Sequence, residues 1–218
     1  MKILGIDEAG RGCVLGPLVV GGFCCEEEQL EAVVQTGATD SKKLSVKKRE
    51  TILGLLPNLG SCHTIEISPA QIDNGNINTL EEHAFIKLIL KFRPDKVFID
   101  APTHPAGIPN FIRRMDQVLR PHFNKLPTFI VEPKADLNYP IVGAASIVAK
   151  VCRDSHIKPL NAGSGYPSDP KTRAWIKAFF EQDEPLHESI RRRWGTVEKI
   201  EQEVLQSRKD LSSGNKQL

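Results

Sequence analysis

Acidic residues fall at three places where apolar runs end or have just ended: Asp7-Glu8 after Ile3 to Ile6, Asp100 after Val97-Phe98-Ile99, and Asp136 shortly after Phe129-Ile130-Val131. If those runs are strands of an open α/β sheet, their carboxyl ends border one crevice, and acids far apart in the chain converge there. Neighbouring strand residues point to opposite faces, so Asp7 and Glu8 share a site only if the strand is already ending, which Ala9-Gly10 allows. Acids gathered without cations repel and raise one another's pKa values, whereas hard divalent metals with all-oxygen coordination relieve that repulsion. The expectation is a Mg²⁺ or Mn²⁺ site. Taken singly, each acid reads better as a helix cap or a solvent-facing loop residue; taken jointly, the set does not.

Gly10-Arg11-Gly12 lies in the turn after the first acids, where glycines let backbone N–H groups approach a polyanion and arginine adds a charge-assisted bond. It is not a dinucleotide fingerprint, since Leu15 stands where a third glycine is needed and a strand, not a helix, is expected next. Asp40-Ser41-Lys42-Lys43-Leu44 sets lysines and a hydroxyl beside a helix start, suited to phosphate oxygens or, equally, to a solvated basic face. Ser146, Lys150 and Asp154 follow at i, i+4 and i+8 on one helix face, and Ala144-Ala145 are small enough for close packing or close ligand approach. That face meets phosphate, or is a surface stripe whose Lys150–Asp154 pair contributes a few tenths of a kcal/mol. The histidines form no pair at ligand spacing, and Cys13 has no nearby histidine to make it a nucleophile.

The elements that position these residues can be read from apolar spacing. Residues 2 to 7 and Leu15 to Cys25 read as a strand hairpin, Ser45 to Leu56 as a basic helix, and His63 to Ile67 as an alternating strand. Thr79 with Glu82 forms a capping box, and Phe85, Leu88, Ile89 and Phe92 recur at helical spacing before Pro94. Lys96 to Asp100 and Pro127 to Val131 read as strands, Ile108 to Leu119 and Ile141 to Ile157 as helices. The alternation after residue 79 implies parallel strands, so with the antiparallel hairpin the sheet is mixed and the class is α/β. Beyond Leu160 a Gly-rich loop and charged helical stretches follow, ending in a polar tail.

The chain has 218 residues, 40% hydrophobic and 26% charged, an ordinary globular composition. Its formal charge of +2 neither demands nor forbids a nucleic-acid partner. Asp7-Glu8 interrupts any signal-peptide core, and no apolar run is long enough to span a membrane, so a membrane partner is not expected. Five cysteines without a C-x-x-C pair read as reduced thiols in a cytoplasmic protein.

Together, Asp7 to Gly12, Asp40 to Leu44, Phe98-Ile99-Asp100, Lys134-Ala135-Asp136 and Ala144 to Asp154 resemble, in order and spacing, the signature blocks of type 2 ribonucleases H, the ribonuclease HII family. Gly165-Tyr166-Pro167 and Arg193-Trp194 resemble further family elements, and the segment between Asp100 and Asp136 is closer to archaeal members. The resemblance, over roughly residues 1 to 195, implies an RNase H-like core with a helical C-terminal extension. The core is expected over 1–160 and the extension packed on it over 161–211, while the polar composition of 212–218 implies a flexible tail, in a chain expected to be a monomer. It implies hydrolysis of RNA in RNA/DNA hybrids and cutting 5′ of ribonucleotides embedded in duplex DNA, leaving 3′-hydroxyl and 5′-phosphate ends. By position it makes Asp7, Glu8, Asp100 and Asp136 the ligands of two metal ions and catalytic, and makes Gly10, Arg11 and Gly12 the loop that senses the 2′-hydroxyl. Tyr166 packs on the sugar at the junction, and Ser41, Lys42, Lys43, Ser146 and Lys150 meet phosphates. A metal-dependent phosphatase would also use acids at strand ends, and a non-catalytic nucleic-acid-binding module would explain the lysines but leave Asp100 and Asp136 unexplained.

Overall fold

The structure, a computed structural model, describes residues 1–38 and 41–214, leaving aside the side chains of Lys42 and of residues 212–214. In chain order the elements are β1 (Lys2–Ala9), β2 (Leu18–Glu26), α1 (Leu30–Gln35), α2 (Val46–Leu55), β3 (Ser61–Ile67), α3 (Pro69–Asn74) and α4 (Ile77–Phe92). They continue as β4 (Lys96–Asp100), α5 (Ile108–Leu119), β5 (Thr128–Glu132), α6 (Ala135–Asn138), α7 (Pro140–Ile157), α8 (Pro170–Glu181) and α9 (Gly195–Gly214). Two compact units divide them: Met1–Arg11, Leu18–Ile67 and Asn76–Asp154 form the first, and Gly12–Pro17, Ser68–Gly75 and the chain from Ser155 onward the second.

The first unit is built on a five-stranded sheet of order β3-β2-β1-β4-β5. β1 pairs antiparallel with β2 and parallel with β4, so the sheet is mixed as the alternation of elements implied. Ile3, Leu4 and Ile6 of β1 are completely buried, which requires cover on both faces. On one face α7 lies backbone against backbone: a Cβ on Gly5 would fall 2.1 Å from the carbonyl oxygen of Ile141, and one on Gly21 would fall 2.5 Å from that of Ala145. Ala144 and Ala145 therefore serve close packing. On the other face α4 covers the sheet, with Leu88 beside Gly22 and the Phe85 ring edge-on to Phe111 of α5, centroids 6.0 Å apart.

Two sequence expectations change in the structure. β2 begins at Leu18 rather than Leu15, because Val14 and Leu15 donate to the carbonyl of Gly165, and Gly16 to that of Ser189. These partners are remote in sequence and belong to the second unit. α4 begins at Ile77, capped by Asn76, whose side chain accepts from the backbone N–H groups of Asn78 and Thr79. The Thr79–Glu82 box is thus not the start, and Glu82 instead accepts from Arg114 Nε at 2.9 Å. The short helices α1, α3 and α6 carry too few residues to show a period.

The second unit buries Val14, Leu15, Ile157, Ile176, Ile190 and Ile200 together, joining residues 12–17 to the C-terminal helices. Buried Arg191 ties the two segments, its Nε donating to the carbonyl of Gly16 at 3.0 Å. Among the described residues, no helix is long and apolar enough to cross a membrane.

Candidate active site

β1 does not end at its acids but runs through Ala9, with Asp7 opposite Gly21 and Glu8 opposite Val20. Contrary to expectation, the strand has therefore not ended at the acids, and successive residues set out from opposite faces, yet the two carboxyls still meet, with the Asp7 side chain within hydrogen-bond reach of Glu8. Asp7 is on the face of Gly5 and accepts a hydrogen bond from Ser146 of α7, while Glu8 is on the α4 side, within the field of Arg11. Asp100 joins both from the neighbouring strand, because Ile6 is in register with Ile99. Its Oδ1 accepts from the backbone N–H of Ala135 at 3.1 Å, which brings the first turn of α6, and buried Asp136 with it, to the end of β4.

Burial pushes the Asp7 carboxyl well above the usual carboxylate range, and the charges of Glu8 and Asp100 push it further than Ser146 and the Glu8 N–H, which donates to Oδ1 at 2.7 Å, can offset. Glu8 is raised first by burial and then by Asp100, with Arg11 opposing. Oxygen donors held together at this electrostatic cost are the donor set of a hard divalent cation, so the residues present fit Mg²⁺ or Mn²⁺.

A hydroxyl and basic network extends from Asp7 along α7. Ser146 Oγ shares a 2.8 Å hydrogen bond with Ser41 Oγ, and both serines are buried. The Ser41 segment is pinned by Arg49, whose Nη1 donates to the carbonyls of Ser41 at 2.9 Å and Leu44 at 2.6 Å. Lys150 pairs with Asp154 at 2.9 Å, and Arg153 and Arg49 also reach that carboxylate, at 3.2 and 3.4 Å. Three cations thus surround one carboxylate. Lys43 is exposed, whereas the Lys42 side chain and Asp40 lie outside the described residues.

Gly10 has φ of 88°, the left-handed region its turn needs, and Gly12 begins the second unit. Tyr166, also in the second unit, is 38% exposed rather than buried as an anchor. Its loop is fastened by Asp169, which accepts from the backbone N–H and the hydroxyl of Ser164, both at 2.6 Å, and from the N–H of Lys171 at 2.9 Å. The Tyr166 carbonyl in turn accepts from the Asp169 N–H.

Sequence reasoning missed Arg49, Asn78 and Glu81. The last left a readable sign: it lies four residues before Phe85 on the apolar stripe of α4, where a carboxylate is out of place.

A mixed sheet of this order, with acids gathered near the ends of its central parallel strands, is an RNase H-like α/β fold whose donor set suits metal-dependent hydrolysis. The pattern of the ribonuclease HII family matches residues 4–197. Ribonuclease HII of Thermococcus sibiricus is 42% identical, over 98% of this chain and 96% of that protein. The crystal structure of ribonuclease H2 from Pyrococcus horikoshii superposes with a TM-score of 0.81 at 36% identity, covering 94% of this chain and 99% of that one. Ribonuclease HII of Archaeoglobus fulgidus, solved in complex with PCNA, gives a TM-score of 0.80 at 33% identity, covering 91% and 96%. The chain belongs to the ribonuclease HII family, with archaeal relatives, and is a metal-dependent endoribonuclease acting on nucleic acid.

Proposed function

We propose that this enzyme hydrolyses the RNA strand of RNA/DNA hybrids and cuts on the 5′ side of ribonucleotides embedded in duplex DNA, leaving 3′-hydroxyl and 5′-phosphate ends. The observation that carries this reading is the convergence of Asp7, Glu8 and Asp100 at adjacent strand ends, with Asp136 beside the N–H that Asp100 accepts. These four carboxylates would hold two Mg²⁺ or Mn²⁺ ions. Such ions, when bound, activate a water and stabilise the leaving 3′ oxygen.

The chain's own residues prepare that site. Ser146 fixes the Asp7 carboxylate by donating to it, and Arg11 offsets the charge of Glu8. The backbone of Gly10-Arg11-Gly12 reads the 2′-hydroxyl, the group by which RNA differs from DNA. Ser41, Lys42, Lys43, Ser146 and Lys150 meet backbone phosphates, and Tyr166 packs on the sugar at the RNA to DNA junction. No covalent nucleophile is needed, and burial pushes the thiols of Cys24 and Cys25 up to about 11 and about 12, so neither supplies a thiolate at neutral pH. We place the enzyme in the cytoplasm, acting as a monomer.

The test is cleavage of a DNA duplex carrying one ribonucleotide, with product ends mapped. A single cut 5′ of the ribonucleotide, with 3′-hydroxyl and 5′-phosphate ends, is the expected result. Hydrolysis of p-nitrophenyl phosphate without duplex cleavage would replace this reading with a phosphatase.

A further inference from the structure

Glu81 is buried more deeply than Asp7 or Asp136, at 1% exposed, although it stands on the apolar stripe of α4. Its Oε2 accepts from Arg11 Nη1, while Oε1 has no hydrogen-bond partner among the described residues. A buried carboxylate with one oxygen unpaired costs the fold free energy that a leucine of similar size would not. Its satisfied oxygen holds Arg11, whose other terminal nitrogen donates to Asn78 Oδ1 at 2.5 Å. α4 thus grips one guanidinium at two points.

What that grip restrains is the backbone on either side of Arg11. A residue between two glycines belongs to the least restrained kind of segment a chain can have, and N–H groups that must meet a ligand pay for disorder on binding. Anchoring the Arg11 side chain in α4 removes much of that freedom before substrate arrives.

We infer that Glu81 is a positioning residue: through Arg11 it fixes the backbone of Gly10-Arg11-Gly12 and so sets how strongly the enzyme distinguishes a ribonucleotide from a deoxyribonucleotide. The inference rests on the reading that this loop meets the 2′-hydroxyl. Its test compares wild type, Glu81→Ala, Glu81→Gln, Arg11→Ala and the Arg11→Ala/Glu81→Ala double variant on a DNA duplex with one ribonucleotide, using an all-DNA duplex as competitor. Glu81→Ala should raise KM for the ribonucleotide duplex roughly tenfold with kcat little changed, while the inhibition constant of the all-DNA duplex stays the same. Glu81→Gln, whose amide oxygen still accepts from Arg11, should recover most of that loss. The double variant should be no worse than Arg11→Ala alone, because the pair acts as one unit.

Unchanged discrimination in Glu81→Ala, or losses that add in the double variant, would overturn the inference while leaving the cleavage reading intact. Failure of wild type to cut the ribonucleotide duplex would overturn both. Should Glu81→Ala lose cooperative melting, Asn78→Ala removes the exposed half of the grip and must still lower discrimination; no change there also overturns the inference.

Discussion

Asp7, among the last paired residues of β1, is 5% exposed, and burial and its neighbours push its carboxyl well above the usual range. Asp169, in the second unit, is bound by Ser164 and by the N–H groups of Lys171 and Thr172, and its carboxyl is pulled down to about 2. The side chain is the same and the shift opposite, because burial disfavours charge while donated hydrogen bonds favour it. Asp7 is held at a cost that a cation would relieve, which suits chemistry. Asp169 uses its charge fully within the fold, fastening the loop that carries Tyr166. A carboxylate's part in function is thus legible in whether the protein has already satisfied it.

The strongest way to break that contrast is Asp7→Asn. Cleavage should fall by at least about a thousandfold, the scale of losing a group that acts in the transition state, while the melting temperature in chelator stays equal or rises as a buried repulsion is removed. Near-normal turnover by the folded variant would end the metal assignment. Next in size is Tyr166→Ala, which should lose about tenfold to a hundredfold on a single embedded ribonucleotide, far more than on a uniform hybrid, with melting within a few degrees of wild type. Equal losses on both substrates would remove Tyr166 from the junction.

Asp154 sharpens the comparison as an acid supplied with cations in excess. Lys150→Ala leaves it with Arg49 and Arg153, so the fold should hold. Hybrid binding should weaken alike for different sequences, with a salt slope shallower by roughly one unit. An unchanged slope would make this helix face mere surface. The smallest effect belongs to Asp169. Its folded pKa lies below the ordinary value of 3.8, so its contribution to stability is complete above that pH and is lost as pH falls through about 2. Carboxyl NMR titration should place its midpoint near that value, and a midpoint at the ordinary one would mean the loop is not fastened as described.

The strands and the acids at their ends were legible in the sequence because apolar runs and the carboxylates closing them are local patterns. The sheet's mixed character followed from the same alternation. Less legible was anything decided by a distant partner. Leu15 to Pro17 look like the start of β2 until Gly165 and Ser189 claim the backbone of Leu15 and Gly16. Asn76, not Thr79, caps α4: it accepts from the N–H groups of Asn78 and Thr79, so the helix is already under way where the Thr79–Glu82 pair would have begun it. Asp7 and Glu8 meet each other directly and both meet Asp100, a neighbour from another strand, without the strand ending that Ala9-Gly10 suggested. Arg11 gave no hint that its partners lie on α4, and only the misplaced charge of Glu81 could have pointed there.

The contact of α7 with β1 and β2 governs how this chain can drift under mutation. Alanine is the smallest step open to a glycine, yet at residue 5 its methyl would lie 2.1 Å from a carbonyl oxygen, and at residue 21 it would lie 2.5 Å from another. Backbone cannot step aside as a side-chain tip can, so either change lifts the helix and carries Ser146 away from Asp7. Two positions with no side chain thereby become as closed to variation as the acids themselves. In a random library selected for cleavage, columns 5 and 21 should be as empty of substitutions as column 7.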